Sequence, residues 1–147
     1  MKLLLDYLIN LGCRHNLTIS NQEILKCSMM GLDDKRKKLL IVNGLPEGKP
    51  HHYVIDLNDI RSCSVKKYYG RIDINGLKNR ELNQYLEKIV LQIEFGSAKQ
   101  SADILIYKRT DNDLRELPEL ELKARKWMEL LSENLPISLN EKLPLKL

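Results

Sequence analysis

One segment limits the architecture more than any other. In residues 117–131, Leu117, Leu120, Ala124, Trp127, Met128 and Leu131 recur at helical spacing, while Glu119, Glu121, Lys123, Arg125, Lys126 and Glu129 take the opposite face. The segment follows a long series of strand-like runs and carries the chain's single tryptophan. An amphipathic helix with a large aromatic in its apolar stripe, placed after a β-rich chain, is suited to close an open β structure. The spacing predicts Trp127 as core, a marker of fold and not of a site.

The runs ahead of this helix read as strands. Residues 22–30 carry Ile24, Leu25, Cys27, Met29 and Met30 and end at Gly31. Asp33, Asp34 and Lys35 form a polar turn into the apolar run 38–42, which Asn43 and Gly44 close. A loop with Pro46, Gly48 and Pro50 leads to 51–57, where Tyr53 and Ile55 share one side and Val54 takes the other. Asn58 and Asp59 turn the chain into 60–69. Ile72 and Ile74 mark a short fifth run, and the polar stretch 76–84 is a loop. In 86–95, Ile89, Leu91, Ile93 and Phe95 alternate with polar residues, and 102–107 runs back after a turn. Seven short strands on turn-length connections predict a mainly β fold with helix: an antiparallel sandwich or barrel capped by a helix at about 118–133.

Length fits one domain with a real core, since 147 residues bury enough surface without disulfides. At the start, Leu4, Tyr7, Leu8 and Leu11 share one helical face within residues 1–12. Asp6 and Asn10 interrupt this stretch and it is too short to span a bilayer, so it is read as an amphipathic helix that packs on the domain or on a partner. An anchor upstream of Met1 would recast the chain as a tethered cytoplasmic domain. The domain proper is read as 13–134. The tail 135–147 holds Pro136 and Pro144 with an unusual share of leucine, at Leu139, Leu143, Leu145 and Leu147.

Charge and chemistry narrow the function classes. The net charge of +4 falls short of the basic footprint of a dedicated nucleic-acid binder. Cys13, Cys27 and Cys63 follow no metal or disulfide spacing, which fits a reducing, cytoplasmic setting. His51 and His52 are adjacent on a strand and so point to opposite faces, and His15 stands apart; no metal site is expected. Asp111, Asn112 and Asp113 lack the glycine and closing glutamate of a calcium loop and read as a turn before the helix. No nucleophile elbow, phosphate-binding glycine loop or zinc-protease motif occurs, so neither an enzyme nor a cofactor is expected. Lys66, Lys67 and Arg71 beside Tyr68 and Tyr69 form a basic, aromatic group without any RNA-binding signature around it, and nucleic acid is not expected as a partner.

Seven strands and a final helix bearing a tryptophan resemble a pleckstrin-homology-like (PH-like) domain, most of all the small bacterial members. The resemblance covers residues 22–134. It is carried by Lys38-Leu39-Leu40-Ile41-Val42, by Tyr53-Val54-Ile55-Asp56-Leu57-Asn58-Asp59-Ile60, and by the final helix 119–131 with Trp127. It implies two nearly orthogonal sheets with the last helix closing one open corner, and a non-catalytic binding or scaffold role. In members that bind phosphoinositides, the loop between the first two strands supplies cations. Lys35, Arg36, Lys37 and Lys38 are the matching candidates for an anionic headgroup here, although the strand after them reads Leu39-Leu40-Ile41-Val42 where those members carry further Lys or Arg. The expectation is a module that contacts another protein, a second copy of the chain included, through a sheet edge, the Leu4, Tyr7, Leu8 and Leu11 face, or the apolar tail. The alternative is an anionic membrane surface gripped by the basic turn.

Overall fold

The computed structural model describes residues 2–44, 50–70, 83–95 and 101–135. It contains two antiparallel sheets. The first has the order β1 (Asn21–Ile24), β2 (Ser28–Asp33), β3 (Lys38–Asn43), β4 (His51–Asp56), and the second the order β5 (Ile60–Tyr69), β6 (Leu86–Phe95), β7 (Ser101–Lys108). Helix α1 (Lys2–Arg14) precedes the sheets and helix α2 (Leu117–Glu133) follows them. The chain is therefore mainly β with two helices, and among the described residues the sheets do not close into a barrel. No described helix is long and apolar enough to cross a membrane.

One sequence expectation needs correction. Residues 22–30 form two strands, not one: the chain reverses through Lys26 and Cys27, with the Leu25 N–H donating to the Ser28 carbonyl at 2.8 Å. No Gly, Asn or Pro marks this turn, so composition hid it. Lys35, Arg36 and Lys37 accordingly lie in the turn between the second and third strands, not the first and second, and Lys38 opens β3. The fifth run expected at Ile72 and Ile74, the loops at 45–49 and 96–100, Arg71 and the tail from Pro136 onward lie outside the described residues.

The two central strands of the first sheet, β2 and β3, are buried on both faces. Met30, Leu32, Leu39, Ile41 and Ile55 face the second sheet and α2, in a core shared with Ile89, Leu91, Ile93, Ile104, Ala124, Trp127 and Leu131. Met29, Leu40 and Val42 point the other way, where Leu8, Leu11 and Leu17 cover them, with Ile19, Ile24 and Val54 alongside. This double burial is why β3 is a continuous apolar run and not an alternating one. Ile19 lets the helix come close, because it sits where side chains on Gly12 of α1 and Gly31 of β2 would be. A Cβ on Gly31 would stand 2.9 Å from Ile19 Cδ1.

The end of α1 is fixed by its own backbone. Asn16 takes a left-handed conformation (φ 60°), the Leu17 N–H donates to the Gly12 carbonyl at 2.8 Å and the Asn16 N–H to the Cys13 carbonyl at 3.1 Å. This is a Schellman turn, with Leu17 as the apolar residue that follows it into the core.

On the other side, α2 lays Leu117, Leu120, Ala124, Trp127 and Leu131 on the main core. Trp127 is fully buried, and its indole N–H donates to Glu23 Oε1 on β1 at 3.0 Å. The other Glu23 oxygen pairs with Lys123 Nζ at 3.2 Å. One carboxylate thus satisfies a buried donor and ties α2 to the edge of the first sheet. Truncating Trp127 to Ala leaves a large void between the sheets and should lower stability by about 3–5 kcal/mol in a denaturant titration. An unchanged midpoint and slope would contradict its placement in the core.

Candidate functional site

The basic turn is built around Asp33. This fully buried carboxylate accepts the backbone N–H groups of Lys35 and Arg36 on Oδ1, at 3.1 and 3.0 Å. On Oδ2 it accepts the Thr18 N–H at 2.8 Å and the Arg36 guanidinium at 3.2 Å. Burial pushes its pKa up, but the bonds from Arg36 and Thr18 outweigh burial and hold the carboxyl below its ordinary range. Asp33 therefore shapes the turn, in addition to offsetting its charge.

Three of the four cations of this turn reach different acceptors. Arg36 reaches Asp33. Lys37, in a left-handed conformation (φ 56°), donates to Asn134 Oδ1 at the end of α2 at 2.6 Å. Lys38 pairs with Asp56 at 3.4 Å across the β3–β4 ladder. Lys35 and Lys37 have no ion-pair partner among the described residues, since the acceptor of Lys37 is an uncharged amide. The turn is exposed and basic, but its side chains serve the fold and do not converge on one point.

The candidate face of α1 is divided. Leu8 is 0% and Leu11 3% exposed, both within the second core, whereas Leu4 and Tyr7 are each 37% exposed. Helical geometry aims Leu8 and Leu11 at the sheet and leaves the other two at the rim.

A different surface has the form of a cleft. Between β5 and α2 lies an open groove of about 460 Å3, lined by Ser64, Val65, Lys67, Glu121, Arg125 and Met128. Val65 and Met128 are half-buried against the main core and give the groove an apolar floor. Lys67 and Glu121 form a 2.9 Å ion pair across it. Arg125 is exposed and has no ion-pair partner among the described residues. Beside this groove, β5 pairs with β6 along one edge only, and no described strand pairs with the other. The two tyrosines of the basic, aromatic group are engaged within the fold: Tyr69 packs on the core, and Lys88 sits 4.9 Å over the Tyr68 ring.

The remaining reactive groups are quiet. Burial, and then the bond its thiol donates to Asp111 Oδ2, push Cys27 up to about 11, and burial pushes Cys63 up to about 12. Both stay protonated at neutral pH and are poor nucleophiles. Asp111, Asn112 and Asp113 form the expected turn: Asn112 accepts the Lys108 N–H, and Asp113 caps the short 3-10 turn Leu114–Glu116 in a capping box with Glu116. Among the described residues no group of three or more His, Cys, Asp or Glu is placed to hold a metal ion.

The sequence reading missed two features. The groove escaped it because β5 and α2 are joined only through the fold. The meeting of His15 with His52, whose Nε2 atoms are 3.2 Å apart, escaped it because 37 positions separate them. Comparison of the chain with protein-family models, curated proteins and solved structures found no match.

The Asp33 geometry makes stability depend on pH in a defined direction. A carboxyl whose folded pKa is depressed adds stability above its ordinary range and loses that contribution as pH falls through the depressed value. Asp33→Asn should be less stable than the natural chain by about 1.5–3 kcal/mol at pH 7, the gap closing below about pH 4, in parallel urea titrations. A gap that is constant with pH would show that the charge contributes nothing.

Proposed function

We propose that this chain is a non-catalytic binding module of PH-like fold that contacts another protein, and that it takes an extended segment of that partner in the groove between β5 and α2. Three features support this reading. The seven described strands in two antiparallel sheets, followed by a tryptophan-bearing helix, are the pieces such a fold requires. The edge of β5 that pairs with no described strand offers main-chain donors and acceptors to an added strand, the mode in which backbone bonds supply affinity and side-chain pockets supply selectivity. The Val65 and Met128 floor beside Arg125 suits an apolar side chain followed by an acidic one. The free β5 edge beside a groove is the observation that carries the reading.

An array of extended peptides bearing one apolar and one acidic side chain tests it. Binders should weaken about tenfold or more against Arg125→Glu, an exposed position whose change leaves the fold intact, and equally when their backbone amides are N-methylated. Binding that ignores both changes, or that moves instead with charge reversal at Lys35 to Lys38 on anionic vesicles, would overturn the reading.

A further inference from the structure

Away from the groove, the fold brings two imidazoles together. His15 directly follows α1, and His52 lies on β4, paired in the ladder with Val42. Val42 and Val54 belong to the α1-facing core, so the alternation of β4 turns His52 to that side and His51 to the other. The two rings meet edge to face, with centroids 5.2 Å apart, an interplanar angle of 68° and the Nε2 atoms 3.2 Å apart.

We propose that His15 and His52 form a two-imidazole site for a divalent ion of the zinc class, which clamps the end of α1 onto β4. An ion bound to two imidazole nitrogens at about 2.0–2.1 Å holds those nitrogens about 2.9 Å apart at a right angle and about 3.3 Å apart at the tetrahedral angle. The observed 3.2 Å falls inside this interval, so the two nitrogens already stand at the spacing that a shared ion requires. Both ends are held in advance: the Schellman turn at Asn16 fixes His15, and the β3–β4 ladder fixes His52. Both side chains are exposed, so water can complete the coordination shell.

The site also lies at the carboxyl end of a helix of 13 residues, where the backbone dipole favours a cation. Imidazole suits zinc, nickel and copper, and does not suit magnesium or calcium. With two protein ligands the ion binds exchangeably. Its structural effect is to pin the helix that covers Met29, Leu40 and Val42.

Calorimetric titration of the full chain with zinc chloride, with nickel chloride in parallel and magnesium chloride as control, tests the site. One zinc or nickel ion should bind per chain and raise the melting temperature, while magnesium does neither. His15→Ala and His52→Ala should each weaken binding by at least about tenfold, since losing a ligand costs no less than losing a group that merely orients one. His51→Ala and Cys13→Ser should leave binding unchanged, and circular dichroism should show every variant folded. Absence of saturable binding, binding that survives either His15→Ala or His52→Ala, or binding that depends on Cys13 would overturn the proposal.

Discussion

A sheet that is apolar on both faces must be covered twice, and the rest of this molecule follows from that requirement. Residues 39–42 place Leu39 and Ile41 on one side of the first sheet and Leu40 and Val42 on the other, all fully buried. The second sheet and α2 cover the inner side. The outer side falls to α1, which is why Leu8 and Leu11 are consumed within the domain. Each cover is then fastened by polar groups at its margin. Glu23 holds α2 through Trp127 and Lys123, and Asp33 holds the segment after α1 through the Thr18 amide. Ser28 adds a link between the sheets, its hydroxyl donating to the Leu105 carbonyl of β7 at 2.9 Å.

These fastenings decide which surfaces are left for function. Two of the four cations in the basic turn pair with Asp33 and Asp56, which partly offsets their charge, and a third is tethered by a hydrogen bond to Asn134. An anion would have to compete with those partners. The β5–α2 groove carries no such fastening beyond the exposed Lys67–Glu121 pair, and its floor and free strand edge remain available. That contrast is why the docking surface is proposed at the groove and not at the basic turn.

How much of this could be read in the sequence depended on whether the signal was local. The α2 stripe, the apolar run of β3 and the alternation in β6 are periodic and short-range, and each became the element it suggested. The β1–β2 reversal was hidden because Lys26 and Cys27 are not turn formers; what holds them is distant, the Lys26 ammonium meeting the Asp111 carbonyl and Glu116, and Cys27 meeting the Asp111 carboxylate. Leu8 and Leu11 showed a helical face but not what covers it. His15 and His52, like Val65 and Met128, become neighbours only once the sheets have assembled, and no spacing rule reaches across such separations.

The central claim is that β2 and β3 are sealed on both faces while the outer edge of β5 pairs with no described strand. Backbone amide exchange resolved by residue tests it most directly. The account predicts protection across β2 and β3 close to that of global unfolding, against an alternating pattern along β5, where amides bonded to β6 are slow and those on the free edge are fast. Uniform protection along β5 would mean that another part of the chain or a second copy already occupies that edge, and would contradict the account.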